Sequence, residues 1–214
     1  MNWKRLFSIP GRAQLTPELR ARIQSSFDRA AGDEENFPST IDPRIYHVTL
    51  IRRHLGALAG KRVLDVGCGK GRFARVFHQQ EPQAELWGLD ISEAMLRFVP
   101  EGIHTRAGSM TELPFADEFF DGAYATESLE HAVEIGKAVS EICRVVKPGG
   151  RIAIIDKNAR QWGRLKTPEW EKWFTRRELE RLLRRHCRQV SSQPISYWED
   201  VKPDGLFLAW LAVK

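Results

Sequence analysis

The stretch Val63-Leu64-Asp65-Val66-Gly67-Cys68-Gly69-Lys70-Gly71 sets three glycines at alternate positions behind a short apolar run. Glycine allows turns that a side chain forbids and lets the backbone pass close to a ligand. A helix starting behind such a turn offers unpaired N–H groups that suit a carboxylate or phosphate. The spacing is G-x-G-x-G, not the G-x-G-x-x-G of dinucleotide binders. Asp65 stands two residues before the first glycine, where a carboxylate repels a pyrophosphate and welcomes an ammonium group. The ligand read from these residues is therefore cationic near Asp65. Asp90 ends a second apolar run about 20 residues further on, where an acid typically takes ribose hydroxyls. Its two oxygens can accept from both members of a ribose diol. The competing reading is a glycine-rich turn without a ligand, with Asp90 capping the next helix; Ser92 is better placed for that cap.

Positioning these residues requires strands and helices in alternation. Val63–Val66, Leu86–Leu89, Ile103–Ala107, Phe119–Thr126 and Arg151–Asp156 read as strands. Between them lie helical patterns carrying Phe73, Val76 and Phe77, then Met95, Phe98 and Val99 up to Pro100, then Ile135, Val139, Ile142 and Val146 before the stop Lys147-Pro148-Gly149-Gly150. This rhythm predicts an α/β, Rossmann-like doubly wound, mostly parallel sheet. Residues 1–60 read as an N-terminal helical cap. One helix follows Thr16-Pro17, with Leu19, Ile23, Phe27 and Ala30 on one face; a second carries Val48, Ile51, Leu55 and Leu58 and closes at Gly60. Residues 61–214 read as one folding unit. After Asp156 the pattern predicts a short helix from Thr167-Pro168-Glu169 bearing Trp170, Trp173 and Phe174. A helix capped by Thr175 and Glu178 follows, with Leu179, Leu182, Leu183 and His186 inward. A C-terminal antiparallel hairpin, Gln189–Glu199 with Leu206–Val213, completes the chain.

Composition limits the classes open to the chain. At 214 residues, 42% hydrophobic and 29% charged, it reads as one globular domain, not a disordered one. The longest apolar run, Leu206–Val213, is far short of a membrane span, and no signal-peptide core follows Lys4 and Arg5. Three scattered cysteines exclude a disulfide framework and a CxxC zinc site, and no metal site is expected; a reducing cytoplasm fits. Between Arg151 and Arg188, twelve Lys/Arg face five Asp/Glu. That basic block reads as a solvated helix face or as a surface for an acidic partner such as nucleic acid.

Glycine loop, second-strand acid, Leu113-Pro114-Phe115, Phe119-Phe120-Asp121, Leu129-Glu130-His131 and Lys147-Pro148-Gly149-Gly150 occur in the order of the class I S-adenosylmethionine-dependent methyltransferases. The chain resembles their small-molecule branch, which includes the ubiquinone/menaquinone methyltransferases, from about Val48 to Asp156. The resemblance implies S-adenosyl-L-methionine as cofactor and S-adenosyl-L-homocysteine as product. It implies that Asp65, Gly67 and Gly69 hold the methionine end, with Cys68 and Gly71 completing the loop. Asp90 would take the ribose diol, Ile91 and Met95 the adenine ring, and Ser109 with Met110 the adenine amino group, where the family usually has an acid. Glu127 would lie near the methionine moiety and the reacting centre, and His131 would serve as a catalytic base; Thr126 and Tyr46 could border the pocket. The implied reaction is in-line methyl transfer to a small-molecule or lipid-linked acceptor, with Trp162, Trp170, Trp173 and Phe174 near it or simply filling core. RNA methylation through residues 151–188 and non-catalytic cofactor binding remain alternatives, and the oligomeric state is open.

Overall fold

The computed structural model describes residues 14–214; the opening of the expected cap, with Lys4 and Arg5, lies outside the described residues. Helix α1 spans Pro17–Ala30, and its first turn is fixed by the Thr16 side chain, which accepts from Leu19 N. Helix α2, Tyr46–Leu55, precedes strand β1, Arg62–Val66. Then follow α3 (Arg72–Gln80), β2 (Glu85–Asp90), α4 (Glu93–Leu96), β3 (His104–Ala107) and β4 (Phe120–Thr126). Helix α5 (Ile135–Val145), β5 (Val146–Lys157), α6 (Arg176–Leu183), β6 (Gln189–Ile195) and β7 (Phe207–Val213) complete the described chain.

The seven strands form one sheet in the order β3-β2-β1-β4-β5-β7-β6. β1 pairs in parallel with both β2 and β4, and β7 runs antiparallel to β5 and β6, giving the expected edge hairpin. Residues such as Leu64 and Val66 pack with α5 and α6 on one face, while Val63 packs with α2 and α3 on the other. A strand covered on both faces must be largely apolar on both, which is why residues 152–155 of β5 read as a continuous apolar run and Asp65 alone interrupts residues 63–66 of β1. Helix α2 belongs to this packed layer through Val48 and Ile51. Only Ile23 of α1 is buried, so α1 is the element that caps.

Several local expectations are corrected. α2 closes at Gly56, and Leu58 is buried beyond its end. α4 has only four residues and leaves Phe98 exposed. Lys147-Pro148-Gly149-Gly150 lies inside β5: pairing with β4 jumps from Phe120↔Val146 to Gly122↔Arg151, so the proline and glycines bulge out without ending the strand. β6 stops at Ile195, and the connection to β7 spans 196–206. His186 is exposed and Cys187 takes the inward place, because α6 has already ended.

The short helix expected from Thr167 does not form. The N–H donors that a helix would use point elsewhere: Lys172 N donates to Glu130 O at 2.8 Å and Phe174 N to Lys157 O at 3.4 Å. Residues 165–174 therefore form a strap pinned across the carboxyl ends of β4 and β5. The capping box of α6 ends this strap, with Thr175 Oγ1 accepting from Glu178 N and Glu178 accepting from Thr175 N at 2.7 Å. Thr175→Ala should lower the unfolding free energy by about 1 kcal/mol in urea denaturation, and Thr175→Ser should restore most of it.

Candidate active site

Sheet order reverses between β1 and β4, and in open α/β sheets the crevice beyond the strands' carboxyl ends at such a point receives ligands. Here it holds a cavity of about 600 Å³. The glycine loop forms one wall. Gly67 N and Cys68 N both donate to Leu89 O, at 2.7 and 2.9 Å, which clamps the loop onto the end of β2. Gly67 has φ 72°, and a Cβ there would lie 2.5 Å from Ser128 Cβ. At Gly69, with φ 53°, a Cβ would meet no protein atom within 4 Å; the space above that backbone is open to the cavity. Gly71 caps α3 and does not border the cavity, so its place is behind the loop and not on the ligand side.

Two acids face this space. Asp65 is 3% exposed, and among the described residues neither its Oδ2 nor the neighbouring Tyr124 hydroxyl has a hydrogen-bond partner. Burial pushes the Asp65 carboxyl up to about 7. Asp90 Oδ2 accepts from Gly69 N at 2.8 Å and Oδ1 from Ser92 N at 2.9 Å, so loop and strand end are locked together. Burial raises the Asp90 carboxyl as well. Ile91, Met95, Ser109 and Met110 border the same cavity. The Ser109 hydroxyl is engaged within its own turn, at 2.8 Å from Thr111 Oγ1 and accepting from Thr111 N at 3.2 Å. Ser92 Oγ donates to Asp28 of α1 at 2.6 Å, and Lys70 Nζ reaches Glu34 at 2.7 Å and Asp33 O at 3.2 Å. These bonds hold the cap over the loop.

The remaining walls come from β4, β5, the cap and the strap. Glu127 follows β4 in a left-handed conformation, φ 51°, uncommon for a residue with a side chain. It pairs with Arg72 at 3.1 Å and accepts from the Tyr197 hydroxyl at 3.2 Å. His131 ends a 3-10 turn, Leu129–His131, with Phe27 of α1 edge-on to its ring at 5.1 Å. Burial and the nearby Lys157 ammonium push its imidazole down to about 3, so it is uncharged at neutral pH. Glu130 is 1% exposed and contacts Lys157 Nζ, which also reaches Glu171 Oε1 at 3.3 Å. Burial and the adjacent Asp156 hold the Glu130 carboxyl far above the usual range.

Thr126 and Trp170 border the cavity, and Trp170 Nε1 is buried without a partner. Tyr46, Trp162, Trp173 and Phe174 do not border it: Trp162 packs edge-on to Trp173 at 5.2 Å, and Phe174 packs against Trp210 in the core. Residue type and spacing assign no role to Glu130, Lys157 or Glu171. The one hint was the adjacency of Glu130 and His131 behind a strand; the other two are 27 and 41 residues from Glu130 and meet it only in the fold.

A family profile described as a methyltransferase domain matches residues 64–154, the stretch holding the loop, both acids and His131. Residues 64–154 are thus similar to the methyltransferase domains, in agreement with the motif order of the class I S-adenosylmethionine-dependent methyltransferases. The malonyl-[acyl-carrier protein] O-methyltransferase of Methylococcus capsulatus is 38% identical over 107 residues, covering 47% of this chain and 38% of that protein. The ubiquinone/menaquinone biosynthesis C-methyltransferase UbiE of Desulfotalea psychrophila is 34% identical over 114 residues, covering 49% and 46%. The chain spans about half the length, or less, of these curated relatives. The solved structure of the [4+2]-cyclase SpnF superposes with a TM-score of 0.76 at 18% identity, over 95% of this chain and 98% of that one. That likeness concerns the fold alone.

The crevice suits the cofactor of that family, which joins an ammonium, a sulfonium and a ribose diol. An unpartnered buried carboxylate oxygen and an open cradle over Gly69 call for a cationic, hydroxyl-bearing ligand. A buried acid held above its ordinary value disfavours folding once solvent pH would ionise it, so its penalty grows from about pH 4 to about pH 7. Asp65→Asn should therefore stabilise the free protein at pH 8 by an amount of order 2–4 kcal/mol. In urea denaturation that gain should fade toward pH 4, and the variant should bind the cofactor product more weakly.

Proposed function

We propose that this chain transfers a methyl group from S-adenosylmethionine to a small-molecule acceptor. The observation that carries the reading is the convergence of Asp65 and Asp90, both buried, on one crevice beside an open glycine backbone. When bound, the cofactor supplies an electrophilic methyl group to an in-line displacement, for which proximity and alignment provide much of the acceleration. Asp65 binds the ammonium, which supplies the positive charge its burial lacks. Asp90 retains a second lone pair on each oxygen for the ribose diol while its backbone bonds keep it in place. Ile91 and Met95 flank the adenine, with Ser109 and Met110 at its edge. Glu127, steadied by Arg72 and Tyr197, borders the methionine end.

The acceptor enters between α1, the strap and His131, where Phe27 and Trp170 give apolar walls. His131 is a weak base because burial disfavours the imidazolium. Its role is to accept a hydrogen bond from the acceptor and align it, with a proton passing only as the methyl group arrives. The three cysteines are all free, which suits a reducing cytoplasm, and no helix among the described residues is long and apolar enough to cross a membrane.

Asp90→Ala should weaken S-adenosylhomocysteine binding by about 100-fold in calorimetry, as expected for losing charge-assisted bonds to two hydroxyls. Unchanged affinity would remove the ribose assignment. Incubation with methyl-labelled cofactor and fractionated cell extract should place label in a small-molecule fraction. Label confined to lipid or RNA would redirect the acceptor assignment, and tight product binding without any transfer would favour a binding protein.

A further inference from the structure

We infer that Glu130, His131 and Glu171 form a binding site for one divalent transition-metal ion of the zinc class in the wall of the cavity. Each of the three offers a ligand atom, and these atoms lie within 4.8 Å of one another. Both carboxylate side chains are almost wholly buried, at 1% and 3% exposure. The independent sign of a missing ligand is that Glu130 Oε2 and His131 Nδ1 are buried with no hydrogen-bond partner among the described residues, in residues that border the cavity. Buried polar atoms are normally paired, so two orphans on adjoining residues need an explanation.

The surrounding bonds leave Glu171 Oε2 for a ligand, and Glu130 Oε1 lies 3.6 Å from His131 Nε2. Lys157 Nζ takes Glu130 Oε1 and lies 3.3 Å from Glu171 Oε1, which also accepts from Trp173 Nε1 at 2.6 Å. Glu171 Oε2 points the other way, 4.0 Å from His131 Nδ1. Lys157 and Trp173 thus orient the carboxylates from behind, as outer partners of metal ligands do. Two carboxyl groups face one ammonium, and a dication binding there would release the proton that Glu130 otherwise holds. One imidazole nitrogen with two carboxylate oxygens matches zinc, whereas magnesium favours all-oxygen octahedra rich in water. Three protein ligands leave a fourth position for water or an acceptor oxygen; with Nδ1 on the metal, Nε2 carries the ring proton, so in the loaded chain that position replaces the hydrogen bond that His131 accepts in the metal-free one. Ligation at ~2.0–2.2 Å asks the atoms to close in from their present spacing, and Glu171 sits on the strap, which has no helix to resist it.

Calorimetric titration of Zn2+ into the full chain should show one site per chain. Glu130→Gln and His131→Ala should each weaken it by about 100-fold, while Glu169→Gln, on the same strap outside the triad, should leave it unchanged. Absence of stoichiometric binding, or binding indifferent to both triad substitutions, would overturn the inference. Should either variant fail to fold by circular dichroism, X-ray absorption on the zinc-loaded wild-type chain decides. A nitrogen/oxygen shell at ~2.0–2.1 Å is expected, and a sulfur shell near ~2.3 Å would assign the metal to cysteine instead. Neither readout involves methyl transfer, so failure here leaves the proposed function standing.

Discussion

Two carboxylates buried side by side, neither in an ion pair among the described residues, set the terms for this site. Taking an ionised carboxylate out of water is costly unless it is paired or hydrogen-bonded. Asp90 meets that cost with backbone N–H groups from the glycine loop and from the start of α4. Asp65 does not, and one of its oxygens is left without a partner. The sheet fixes both residues, since Asp65 pairs with Gly88 in β2 and with Tyr124 in β4, and Asp90 with Ala107 in β3. Neither acid can retreat toward solvent without breaking the parallel ladder. A cationic ligand at the crevice therefore relieves a penalty built into the fold.

The same logic recurs on the far side of the cavity with another outcome. Glu130, Glu171 and Asp156 crowd into the junction of the 3-10 turn, β5 and the strap, with Lys157 among them. One ammonium cannot balance three carboxylates, and Glu130 responds by holding its proton. The cluster also has a mechanical effect. Lys157 draws Glu171, and with it the strap, toward β4, while Arg22 of α1 pairs with Glu169 and lies over the Trp170 ring. Cap and strap thus meet above the site through a few polar contacts and not through a continuous apolar core. That arrangement suits a lid that must admit a second substrate.

The alternation of apolar runs with helical spacing made the doubly wound sheet and its edge hairpin legible, because each strand and helix needs only its own neighbours to declare its period. The capping box at Thr175 was legible for the same reason. Failures fell where a distant segment competes for the backbone. Residues 167–174 have helical spacing, yet their N–H groups are claimed by carbonyls of Glu130 and Lys157. Lys147-Pro148-Gly149-Gly150 looks like a terminator, but the pairing of Val146 with Phe120 carries the strand through it.

The sequence by itself determined the fold class, the glycine loop and the two acids at neighbouring strand ends, since all of these follow from residue type and short-range spacing. It also determined that Glu130 and His131 stand together behind β4. Only the tertiary structure decided that Lys157 and Glu171 join them, that Gly71 turns away from the cavity, and that Trp170 faces it while Trp173 does not. The physical reason is that burial and charge pairing depend on which chain segments are brought together in space. Chain-local periodicity does not record such meetings.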